Sequence, residues 1–76
     1  AFDRAIELKP DLAEAHNNLG NLLREQGAIA AAEQSYIRCL SCRSDFVQAH
    51  NNLGVLYQSQ QNLDKAITCF ESALSL

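Results

Sequence analysis

Three residue types in this chain could do chemistry: cysteine, histidine and asparagine. Cys39-Leu40-Ser41-Cys42 has C-x-x-C spacing, shared by redox dithiols and by half of a zinc site. Zinc would need a second pair, and a redox motif needs an activated thiol at the start of a helix. Both thiols instead fall late in a helical pattern, where small apolar fillers belong, and Cys69 stands alone. His16 and His50 have no carboxylate or nucleophile recurring beside them, so partial burial with a polar contact is expected of them, not a metal. There is no nucleophile–base arrangement, phosphate-binding glycine loop or paired-carboxylate site. The segment is therefore expected to be no enzyme by itself and to use no cofactor.

The asparagines are different. An amide side chain carries an N–H donor and a C=O acceptor together, the same pair that an extended peptide backbone presents. Spaced along a groove, such amides can hold a chain without reading its side chains, each contact contributing about 0.5–1.5 kcal/mol. Glu14, Asn17, Asn18, Asn21, Arg24 and Glu25 lie at spacings of three and four, so they share one helical face. Gln48, Asn51, Asn52, Val55, Gln58 and Ser59 form an equivalent face further on. The candidate peptide-binding residues on these faces are Asn17, Asn18, Asn21, Arg24, Gln48, Asn51, Asn52 and Gln58. The opposite stripe, Leu12, Ala15, Leu19 and Leu22, is apolar and is expected to pack inward.

The elements that must position these amides follow from a repeat. His16-Asn17-Asn18-Leu19-Gly20 recurs as His50-Asn51-Asn52-Leu53-Gly54, 34 residues later, and a 34-residue period marks a stacked helix–turn–helix array. In the same register Leu22 matches Leu56, Ala32 matches Ala66, Tyr36 matches Phe70 and Leu40 matches Leu74. Hydrophobic periodicity and punctuation predict about five helices. The first covers about Phe2 to Leu8 and stops before Pro10, which cannot donate to a helix ladder. The second covers about Leu12 to Gln26, with Asp11 and Glu14 as a capping box and Gly27 closing it. The third covers about Ile29 to Cys42. The fourth, from about Phe46 to Gln60, has Asp45 and Gln48 in capping positions, and the fifth, from about Leu63 to Ser75, has Asn62. Links this short make sequential helices antiparallel neighbours.

On these residues the chain resembles the tetratricopeptide repeat (TPR) family over its whole length. The Leu-Gly pairs, Tyr57 three residues after one of them, the pairs Ala32/Tyr36 and Ala66/Phe70, and Pro10 carry the resemblance. It departs from the family pattern at Ser44, in place of the closing Pro, at Gln61, where Gly27 sits in the other unit, and at Cys39, in place of a small Ala. The resemblance implies an all-α, antiparallel helix-pair solenoid, a right-handed superhelix whose first helices line a concave surface. It divides the chain into the second half of one repeat (1–10), a full repeat (11–44) and a nearly full one (45–76). The Asn-Leu-Gly blocks are similar to those of O-linked N-acetylglucosamine transferases and their bacterial relatives. In such members the Asn before Leu-Gly contacts an extended peptide, which points to Asn18 and Asn52 first and to Asn17, Asn51 and Asn21 second. The resemblance implies a protein–protein interaction module that binds an extended peptide. The alternatives are the substrate-recognition arm of a glycosyltransferase and a structural spacer or self-assembly segment.

Composition narrows the partners. With 76 residues and a net charge of −3, the chain has no basic cluster of the kind that holds nucleic acid. It has no apolar run long enough to cross a membrane. Forked recognition of a terminal carboxylate needs several Lys or Arg, and Arg24 alone lies on the amide face. Three cysteines cannot all pair within one chain, which suggests a reducing compartment such as the cytoplasm. Solenoids also need capped ends. The chain is therefore expected to be part of a longer array and prone to end-to-end self-association.

Overall fold

The computed structural model describes the backbone of residues 2–76 and the side chains from Leu12 onward. Four helices follow one another: α1 (Phe2–Glu25), α2 (Ile29–Cys42), α3 (Val47–Ser59) and α4 (Leu63–Ser75). There is no strand among the described residues. α1 packs antiparallel to α2 and α3 to α4, α2 lies against α3, and α1 touches α3 along one edge. This is the helix-pair solenoid expected from the period.

The expected break at Pro10 does not occur: the first two expected helices are one continuous α1. Proline removes one ladder hydrogen bond, but its fixed φ lies within the helical range, and Leu12–Ala15 resumes with good helix formers. The lost bond and the crowding of the carbonyl four residues earlier cost about 3 kcal/mol, and the helix continues across them. The side chain of Asp11 lies outside the described residues, so its expected cap cannot be placed, and its backbone is helical.

The other turns repeat in detail. Gly27 takes a φ of 84°, and the N–H of Ala28 returns to the carbonyl of Leu23 at 2.9 Å. Thirty-four residues on, Gln61 takes a φ of 63° and Asn62 N–H returns to Tyr57 O at 2.8 Å. Both are left-handed helix closures of the kind glycine favours. Gln61 thus adopts the glycine geometry without being glycine. The expected side-chain caps at Asp45 and Asn62 do not form. Asp45 instead meets Arg43 at 3.8 Å in an exposed ion pair.

The core runs through the seam between the pairs. Ala32 and Tyr36 of α2, Leu53, Leu56 and Tyr57 of α3, and Ala66 of α4 form one buried cluster. Ala13, Cys39 and Ala49 form a second where α1, α2 and α3 meet. Gly20 and Gly54 let rings approach the first helix of each pair. A Cβ on Gly20 would stand 2.6 Å from Tyr36, and one on Gly54 2.6 Å from Phe70. The expected inward packing of Leu12, Ala15, Leu19 and Leu22 is overturned. All four are exposed, Leu22 at 51%, because residues 2–8 continue α1 and do not fold back across that stripe. The buried face of α1 carries Ala13, Asn17 and Gly20 instead.

Candidate functional site

Burying Ala13 and Gly20 turns the amides of α1 toward α3. Asn17, Asn18 and Asn21 from α1 and Gln48, Asn51 and Asn52 from α3 line one open groove of about 420 Å³. Six of the eight candidate residues therefore come together. Arg24, about one turn beyond Asn21, and Gln58, six residues beyond Asn52, lie outside the groove lining. No acidic or basic side chain lines it, so its recognition capacity is that of neutral hydrogen-bonding groups.

The six amides differ in exposure. Asn18, Gln48 and Asn51 are exposed, Asn21 and Asn52 are half-buried, and Asn17 is 3% exposed. Burying an amide is costly unless it is hydrogen-bonded. The Nδ2 of Asn52 donates to the Oδ1 of Asn17 at 3.0 Å, across the boundary between the two helix pairs. Asn21 is tied as well, its Oδ1 accepting the Tyr36 hydroxyl at 2.5 Å. Tyr36 is fully buried, so this bond supplies its hydroxyl with a partner inside the core.

A parallel tie lies behind the groove. Tyr57 donates to Glu33 at 2.7 Å, linking α3 to α2. Burial, reinforced by this hydrogen bond to a carboxylate, pushes the Tyr57 hydroxyl well above its ordinary pKa, and burial pushes Tyr36 up too. Both phenols therefore remain donors across the neutral range. Residue spacing did not reveal these tyrosine ties. The one available signal for Asn17 was its place between Ala13 and Gly20, four and three residues away on a face of small side chains.

The other chemical candidates resolve as structural residues. Cys39 is fully buried with Ala13 and Ala49, and desolvation raises its thiol pKa, the opposite of an activated nucleophile. Cys42 is exposed and so does not fill the core as expected. Cys69 is half-buried against the main cluster. His50 is half-buried, and its Nε2 meets the Ser44 carbonyl at 2.9 Å, tying α3 to the preceding link. Among the described residues there is no cluster of three or more His, Cys, Asp or Glu placed to hold a metal. No helix there is long and apolar enough to cross a membrane.

Comparison with known proteins agrees with this geometry. Residues 47–76 match the family pattern described as tetratricopeptide repeat, and residues 1–27 and 20–61 match one described as TPR repeat. No curated protein matches the chain. Among solved structures, the crystal structure of MamA is similar at 29% sequence identity with a TM-score of 0.82. That alignment covers 96% of this chain and 43% of MamA, so the chain spans less than half of that protein's length. With the paired helices, the recurring left-handed closures and the ring-on-glycine contacts repeated at one period, the chain belongs to the tetratricopeptide repeat family.

Proposed function

We propose that the amide groove between α1 and α3 binds an extended peptide segment of a partner protein, a specific form of the protein–protein interaction role of tetratricopeptide repeats. The observation that carries this reading is the convergence of six Asn and Gln side chains from two successive repeats on one open groove. A peptide backbone laid there would exchange its hydration for amide partners, gaining about 0.5–1.5 kcal/mol per bond. Asn18 and Asn52 are the principal contacts in this reading. Asn51, Asn21 and Gln48 flank them, and Asn17 supports Asn52 from behind.

The test is an array of 12-residue acetylated peptides probed with the wild-type chain and with Asn18→Ala/Asn52→Ala. The double variant should lose binding by about tenfold or more on the peptides the wild type retains. Equal retention by both proteins would discard the groove. The substrate-recognition arm of a glycosyltransferase is the narrower form of the same reading. It predicts that peptides retained by the groove are acceptors for a catalytic domain in the parent protein.

A second reading rests on the exposed apolar faces. α2 seals Leu53 and Leu56 in this chain, while the equivalent Leu19 and Leu22 stand exposed at 45% and 51%. α4 of a second copy could cover them as α2 covers α3, a head-to-tail contact that does not close on itself. Light scattering should then show a mass that grows with concentration, and Leu22→Glu should abolish the growth.

A further inference from the structure

Most of the large apolar side chains exposed among the described residues fall on two faces, Leu12, Leu19 and Leu22 on α1 and Leu63, Ile67 and Leu74 on α4. Shifted by the 34-residue period, these positions are the two walls of the internal seam. Leu19 and Leu22 correspond to Leu53 and Leu56 of α3, and Leu63 and Leu74 to Ile29 and Leu40 of α2, all packed in or against the main cluster. Leu12 corresponds to Phe46, which with Leu40 flanks the second cluster. One copy therefore carries an α3-like wall on α1 and an α2-like wall on α4, the complementary halves of one contact.

The polar positions of the two walls match as well. Across the seam Tyr57 donates to Glu33, and at the equivalent positions stand Leu23 on α1 and Ile67 on α4. Hydroxyl and carboxylate are lost together, so neither wall brings the other a polar group to bury unpaired. The same joint loss occurs inside the chain, where the bonded pair Asn21 and Tyr36 becomes Val55 and Phe70. The other seam bond, Asn52 to Asn17, keeps both partners. Its equivalents are Asn18 on α1 and Asn51 on α3, and both are exposed.

We infer that copies of the chain stack in the register of the repeat, α3 and α4 of one against α1 of the next, and that each junction completes a second amide groove. This rests on the self-association reading above and adds to it a register and a site. Asn18 of one copy bonds Asn51 of the other, as Asn52 bonds Asn17 within the chain. Asn51 and Asn52 of the first copy and Asn17 and Asn18 of the next take the places that Asn17, Asn18, Asn51 and Asn52 hold in the internal groove. Val55 and Glu14 stand where that groove has Asn21 and Gln48, so the composite groove sets one carboxylate beside its amides. Neither copy forms it alone.

The test uses two capped chains. Leu22→Glu blocks the α1 face and leaves α4 open, and Leu74→Glu does the reverse. Light scattering should show each variant alone as a monomer and their equimolar mixture at twice the monomer mass, with no further growth. A mixture that stays monomeric at millimolar concentration overturns the inference. So does a dimer of either variant alone, which would be a two-fold contact and not a head-to-tail one. A disulfide then reads the register, because it forms only between closely placed Cβ atoms. In a Cys42→Ser/Cys69→Ser background, Asn51→Cys is placed on the Leu22→Glu chain and Asn18→Cys on the Leu74→Glu chain. On mild oxidation the mixture should cross-link as completely as Asn17→Cys with Asn52→Cys does inside one chain, where the native pair is bonded at 3.0 Å. A mixture that doubles its mass without this cross-link overturns the register and the composite groove while leaving self-association intact.

Discussion

Leu22 and Leu56 hold the same position in two successive units, yet Leu22 is 51% exposed and Leu56 is fully buried. Leu19 and Leu53 differ in the same way, at 45% and 4%. On the opposite flank the order reverses: Ala13 and Asn17 are buried, whereas their counterparts Val47 and Asn51 are exposed. Each unit is sealed only on the side that meets the other. Burial here is a property of the seam between repeats, and the same side chain is core or surface according to whether a neighbour is present.

The sharpest test of this contrast is a pair of truncations. Leu56→Ala should cost about 2–5 kcal/mol of stability by urea denaturation, and Leu22→Ala about 1 kcal/mol or less. Equal costs would break the comparison by showing that the Leu22 face is covered in solution. The glycines give a smaller contrast. Gly20→Ala drives a Cβ into Tyr36, which is fully buried and tied to Asn21, and should cost about 1–3 kcal/mol. Gly54→Ala meets Phe70, which is only half-buried and has room to turn aside, so its melting temperature should fall less.

The two helix closures sharpen the comparison further. Gly27→Ala should destabilise by about 1 kcal/mol at its positive φ, while Gln61→Gly should stabilise by up to about 1 kcal/mol by relieving the left-handed strain. Each change alone would make the two closures more alike, both without glycine in the first case and both with it in the second. The smallest signal is alkaline. The Tyr57 hydroxyl lies above its ordinary value of 10.0 in the folded chain, so the unfolded chain loses that proton first. The stability it contributes is fully present below pH 10 and is lost as pH rises toward the folded value. Tyr57→Phe should flatten that alkaline limb, measured as the slope of stability against pH.

The sequence revealed what is local. The bounds of α2 and α4 match the periodicity because Gly27, Gln61 and the short links punctuate the chain where the apolar pattern changes. What it concealed depends on neighbours. Pro10 signalled a turn, but proline weakens a helix interior without always ending it, and the residues from Leu12 to Ala15 propagate well. The leucine stripe of α1 looks like core because in its repeated form, on α3, it is core. Asn17 and Asn18 are adjacent, and a rotation of about 100° per residue separates a buried amide from an exposed one. Only the placement of α3 shows which is which. Six groove residues were legible as a face, but not the bonds that tie Asn17 to Asn52 and Asn21 to Tyr36.

The order of packing, α1 on α2, α2 on α3 and α3 on α4, has a kinetic consequence. Most of the tertiary partners lie close in sequence, so only short loops need closing and little chain entropy is spent before contacts form. Either helix pair can nucleate first and template the other, as in a one-dimensional lattice of coupled units. Hydrogen exchange should therefore reveal a gradient, slowest at the seam around Tyr36 and Leu56 and fastest toward α4's outer turn, where Leu74 is 86% exposed.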